Sequence, residues 1–160
     1  MRCLSGTRCS EAESLATKAA DVFRSQKAVD AGCQAEAILS RALLAQAKLP
    51  AAEGAAACAV SLCQQGSDRD ARFEAFLASA EVSAQAGRRS EALKALNGVQ
   101  SESKRHGYLV YETRARLQLA ELEFAAGRSE SGRADLAQVA RDAQAHGFGL
   151  ILQKTKSLHG

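Results

Sequence analysis

Tryptophan is missing from this chain of 160 residues, proline occurs once, and the aromatic residues are five Phe and two Tyr. Such a shortage argues against a β-sandwich, whose strands draw on β-branched and aromatic side chains. It also leaves few of the groups that a cofactor enzyme uses. With a single proline, little in the chain interrupts a helix. No run of 18 apolar residues occurs, so no stretch reads as a transmembrane helix. The opening MRCLSGTRCS is followed by EAESLATKAAD and not by the apolar core of a secretory signal. Neither sign of charge dominates: 21 Lys and Arg face 18 Asp and Glu, and the two are mixed along the chain. A nucleic-acid binder concentrates basic residues in a stripe, so no direct nucleic-acid partner is expected, and no membrane. The cysteines are Cys3, Cys9, Cys33, Cys58 and Cys63, an odd number without a Cys-x-x-Cys pair. That pattern reads as free thiols in a reducing compartment, hence the cytoplasm, and not as a disulfide framework or a zinc site.

What the chain has in excess is alanine, with 34 copies. Alanine gives up the least entropy on entering a helix, so the composition predicts an all-α fold. The alanines are also periodic. Gly87-Arg88-Arg89-Ser90-Glu91-Ala92 resembles Gly127-Arg128-Ser129-Glu130-Ser131-Gly132, forty positions later. The same step relates Ala16, Ala56, Leu96 and Leu136, and likewise Ala19, Ala59, Val99 and Val139. Ala35, Ala75 and Ala115 are in register, and His106-Gly107-Tyr108 returns as His146-Gly147-Phe148. A fixed period of this length is the mark of a repeat architecture.

Each unit holds two helices. Ser10-Glu11-Ala12-Glu13 has the form of a capping box. Ser67 or Asp68 can cap the helix that carries Phe73, Phe76 and Leu77, and Ser129 the one that carries Leu136 and Val139. Pro50 suits a first helical position. Gly66, Gly87, Gly107, Gly127 and Gly147 fall where helices should stop. These signals predict helices over 11–26, 29–46, 50–65, 68–86, 89–106, 109–126 and 129–146, with a short helix or tail from Phe148. Residues 1–9 are expected to be a flexible segment. Residues 10–160 are expected to form one repeat domain: a half unit near 10–28, units near 29–67, 68–107 and 108–147, and the tail 148–160. Small residues at Ala52, Ala92 and Gly132 mark where paired helices approach closely. The dipeptide Asn97-Gly98 is turn-like, but the repeat frame runs straight through it, so the helix is expected to continue.

Candidate chemistry is sparse. His106 and His146 each precede a helix-ending glycine, where a histidine suits the helix dipole. No Cys or carboxylate stands at ligand spacing to either, and His159 lies in the tail. Cys58 and Cys63 are five apart on one helix, turned roughly 140° from each other, which suits core filling more than a shared metal. The glycines form neither GxGxxG nor a P-loop. No catalytic residues, cofactor or metal ligands are assigned, and the chain is expected not to be an enzyme.

A helix–turn–helix unit with a small residue at the close-packing point and a glycine-initiated turn resembles the tetratricopeptide repeat family. Leu39-Ser40 with Ala47, Ala52, Ala56 and Ala59 carry the resemblance, then Ala80, Gly87, Ala92, Leu96 and Val99, then Leu119-Ala120, Gly127, Gly132, Leu136 and Val139. The period of forty exceeds the family's period of about 34. The usual large aromatics and the closing proline are missing. The segment RDAQAHGFGLILQKT, with the two HGY/HGF helix ends, is similar to C-terminal repeat regions of bacterial signalling proteins, where a serine/threonine kinase or a winged-helix domain precedes the repeats. The resemblance implies a right-handed α–α superhelix of about seven antiparallel helices plus a short C-terminal helix or tail. It implies a protein-interaction scaffold whose concave groove takes a peptide or protein. Carried over by column, the groove positions are Gln34, Arg41 and Leu44, then Glu74, Leu77 and Glu81, then Arg114, Leu117, Glu121 and Phe124. The first helix matches the second helix of later pairs, so it lacks a partner, and self-association through it is expected. A small-molecule sensor using the same groove is the alternative.

Overall fold

Alanine-rich segments without internal proline become helices wherever one face can be buried, and the computed structural model bears out the all-α expectation. It describes residues 6–127 and 129–158. Side chains are described from Cys9 onward, apart from those of residues 129 and 131. Cys3, the Ser129 cap and His159 therefore lie outside the described residues. Among the described residues there are eight helices and no strand: α1 (Gly6–Ser25), α2 (Val29–Ala45), α3 (Leu49–Cys63), α4 (Arg69–Gln85), α5 (Arg89–His106), α6 (Leu109–Ala125), α7 (Ser129–Ala145) and α8 (Gly149–Leu158). α2, α4 and α6 have 17 residues each and start forty positions apart. The starts of α3, α5 and α7 keep the same step.

Helix ends follow a half-period of twenty. The backbone turns left-handed at Lys27, Ala47, Gly87, Gly107, Gly127 and Gly147, with φ between 55° and 77°. Glycine is the residue that reaches this region without a Cβ clash. Lys27 and Ala47 reach it too, which the composition of those turns does not announce. Asp68 caps α4 as expected, its Oδ1 accepting from the backbone N–H of Asp70 at 2.8 Å and of Ala71 at 3.4 Å. α5 runs unbroken through Asn97-Gly98.

The capping box at Ser10 is not a helix start. α1 begins at Gly6, more than a turn earlier. Glu13 reaches across to α2 and the turn after it, accepting from Gln46 Nε2 at 2.8 Å and from Lys48 Nζ at 2.7 Å. Gln46 also donates to the Cys9 carbonyl, and Cys9 is buried. Packing against α2 thus outweighs the local capping signal.

The described chain divides into two compact units, residues 1–92 and 93–160. In the first, α2 packs on α1, α3 and α4, and α3 packs on α4. One core cluster joins Cys33, Ala37, Ala59, Cys63, Ala71, Ala75 and Ala78; another joins Leu43, Ala52, Ala55, Ala56 and Val82. In the second unit, α7 packs on α6 and α8, and α6 touches α8. Its cluster comprises Leu117, Ala120, Leu136, Val139, Ala143 and Ile151. Gly132 is the close-approach point there. A Cβ at Gly132 would stand 3.1 Å from the Phe124 ring, so a larger residue would push that ring aside.

Candidate functional site

The groove columns fall on α2, α4 and α6, and burial separates them into two kinds. Leu77 is fully buried and Leu117 nearly so; both are interior residues and present no surface to a ligand. Gln34, Arg41, Leu44, Glu74 and Glu81 in the first unit are half-buried, as are Arg114, Glu121 and Phe124 in the second. Arg41 is already engaged: its Nη1 lies 2.6 Å from Glu74 Oε2, its Nε 3.4 Å from Glu81 Oε2, and its Nη2 donates to the Glu74 carbonyl. α4 supplies both carboxylates because Glu74 and Glu81 are seven residues apart, on one helix face. In the second unit the Arg114 guanidinium sits 5.5 Å from the centroid of the Tyr111 ring, one turn before it on α6. Phe124 packs against the cluster of Leu136 and Val139 and roofs Gly132.

The cysteines depart from expectation. Cys33 and Cys63 are joined in a disulfide, and Cys9 is disulfide-bonded as well. Among the described residues Cys58 is the free thiol. The antiparallel register of α2 and α3 explains the pairing. The turn between them centres near Ala47 and Lys48, so residues equally far on either side face each other. Cys33 meets Cys63 as Ala37 meets Ala59, one turn nearer the connection. That register could have been read from the repeat; counting cysteines and seeking Cys-x-x-Cys missed it. Both sulfurs also lie within 3.4 Å of the Ala71 carbonyl oxygen in the first turn of α4.

His106 and His146 are exposed at the ends of α5 and α7, and His146 stacks on Phe148 with centroids 5.9 Å apart. Among the described residues no group of three or more His, Cys, Asp or Glu is placed to hold a metal ion.

A feature that the sequence reading passed over lies between α1, α2 and α3. It is a cavity of about 300 Å³ with Asp21, Arg24, Glu36 and Cys58 at its polar end. Glu36 is 4% exposed, and its Oε1 accepts from Arg24 Nη2 at 2.8 Å. Arg24 also donates from Nη1 to Asp21 at 2.9 Å. Glu36 raises the guanidinium's pKa further above its usual value. Burial pushes the Cys58 thiol up, and the neighbouring Glu36 carboxylate adds to that.

Elsewhere, ion pairs fasten helix to helix. Arg88 spans Glu53 and Glu91, and Arg116 donates to Asp142 at 2.6 Å. Among the described residues no helix is long and apolar enough to cross a membrane. Compared with known proteins, the chain matches no protein-family model, no curated protein and no solved structure.

Proposed function

We propose that the chain is a non-enzymatic protein-interaction scaffold of tetratricopeptide-like repeats, coiled as a right-handed superhelix and serving as the repeat portion of a bacterial regulatory or signalling protein. The observation that carries this reading is the recurrence of helix starts at a step of forty, with left-handed turns at Lys27, Ala47, Gly87, Gly107, Gly127 and Gly147, positions spaced by twenty or forty. Such arrays suit the display of side chains along a surface more than the enclosure of a reaction. The proposed contact positions are the half-buried ones: Gln34, Arg41, Leu44, Glu74 and Glu81 on the first unit, and Arg114, Glu121 and Phe124 on the second. Arginine suits a peptide carboxylate, and Leu44 or Phe124 an apolar anchor. The reading includes a cytoplasmic address; the Cys33–Cys63 disulfide is of a kind that persists in oxidising surroundings and so lends that address no support.

The test is selection of binders from a random peptide library, followed by titration of the selected peptides against the wild-type chain and R41A and R114A. Peptides that bind and lose about tenfold in affinity with either variant support a scaffold. A melting temperature raised by small metabolites and by no selected peptide would favour a sensor instead.

A second reading has its own observation. Leu15 is 68% exposed and Val22 49% exposed, two turns apart on one face of α1. We propose self-association through that face. Light scattering should then show a dimer that L15E/V22E dissolves; a strict monomer at high concentration would remove this reading.

A further inference from the structure

We propose that the cavity between α1, α2 and α3 is a binding site for a primary alkylammonium group, with the ammonium on Glu36 and its hydrocarbon on Leu39 and Leu43. This is independent of the scaffold reading: Glu36 lies about 140° around α2 from Arg41.

Charge is the first support. Asp21 and Glu36 carry two negative charges and Arg24 one positive, so the polar end has a formal charge of −1. A site of that sign favours a cation over an anion or a neutral guest. Glu36 is the group that counts, because its side chain is only 6% exposed whereas that of Arg24 is 63% exposed. Arg24 approaches from the solvent side and occupies Oε1. A carboxylate has room for about four hydrogen bonds, so an ammonium with three donors can be added without removing Arg24. Glu36 also has the Cys58 thiol as a hydrogen-bond neighbour, which still leaves acceptor room. A buried carboxylate held by one mostly exposed cation and a thiol is a poor stabilising device, since desolvation offsets the Coulomb gain.

Shape is the second support. Opposite Glu36, the α3 wall is Ala51, Gly54 and Ala55. Gly54 sits inside a helix, where glycine is less favourable than alanine. A Cβ built there would meet nothing within 4 Å, so no packing constraint asks for glycine. Gly54 is exposed, so its missing side chain leaves the mouth of the cleft open. About 300 Å³ is at the lower end for a small-molecule site and suits a short alkyl chain.

The repeat supplies the third support. A gap imposed by the architecture would return in every unit. Forty residues on, Glu36 becomes Phe76 and then Arg116; Gly54 becomes Lys94 and then Ala134; Cys58 becomes Gly98 and then Gln138. The acidic, glycine-walled combination belongs to the first unit alone.

The test is an NMR titration of the full chain with n-butylamine at neutral pH, following the Leu39 and Leu43 methyl groups. n-Butanol is the neutral control, and Nα-acetyl-lysine methylamide stands for a lysine on a partner protein. Saturable shifts with a dissociation constant on the order of a millimolar are expected for butylammonium. E36Q should weaken binding about tenfold or more, and G54L should abolish it by filling the space while removing a helix-interior glycine. Tighter binding of the blocked lysine would assign the site to a partner's side chain, and tighter binding of butylamine to a free amine. Equal shifts with n-butanol overturn the proposal. So does butylammonium binding that G54L leaves unchanged, a readout that holds even where E36Q fails to fold.

Discussion

A carboxylate beside a guanidinium keeps its proton off to lower pH than it would alone, and Asp142 is such a group. The Arg116 hydrogen bond holds it below the usual Asp range against the opposing effect of burial, with Gln138 assisting. Glu13 is lowered in the same way, chiefly by Lys48 and then by Gln46. A folded-state pKa below the unfolded one means that the unfolded chain binds more protons as the pH falls. Stability from these groups is therefore fully present above about pH 4–5, the range of unperturbed carboxylates, and is lost as the pH falls through their folded values. We expect R116Q to be less stable than wild type at pH 7 and to show a shallower rise of melting temperature between about pH 2 and pH 5. An unchanged slope would mean that Asp142 owes nothing to Arg116. Neither partner was legible beforehand. Arg116 and Asp142 are 26 residues apart, and only the packing of α6 on α7 brings them together.

At the scale of the element, the ends of α2 to α7 lie within two residues of where sequence periodicity puts them. Glycine and Asp68 announced several of those ends through local chemistry alone. The start of α1 differs from its local signal at Ser10: Gln46 instead engages the Cys9 carbonyl and Glu13, contacts that no local pattern encodes. The turns at Lys27 and Ala47 were also hidden, since neither residue favours a left-handed backbone. The half-period explains them: they stand where Gly87, Gly107, Gly127 and Gly147 stand later. Their Cβ atoms carry a cost of roughly 1–2 kcal/mol per residue in that conformation. A47G should therefore stabilise the first unit, by about 0.5–1 kcal/mol once the greater freedom of glycine in the unfolded chain is deducted. G87A should destabilise by a similar or larger amount. Urea titrations would show the two midpoints moving in opposite directions, and a loss of stability in A47G would refute the equivalence of these turns.

Over the whole molecule, the two units differ in how they are held. One cluster of the first is built of small side chains, with Ala37, Ala59, Ala71, Ala75 and Ala78 around the Cys33–Cys63 bridge. The second relies on Leu117, Leu136, Val139 and Ile151. Alanines bury little apolar area each, so the cluster around the bridge gains most from a covalent staple, whereas Phe73, Leu77 and Val82 are buried elsewhere in that unit. The bridge closes a loop across a sequence separation of 30, for which chain entropy gives about 3.6 kcal/mol. In a repeat array, stability is built from units and nearest-neighbour terms, so removing the staple should be felt locally. We expect the double variant C33A/C63A to lose up to that amount, and hydrogen exchange to quicken in α2, α3 and the first turns of α4. Protection in α7 and α8 should stay within error. Uniform loss of protection through α8 would mean that the chain unfolds as one cooperative body, and that its forty-residue period governs geometry but not stability.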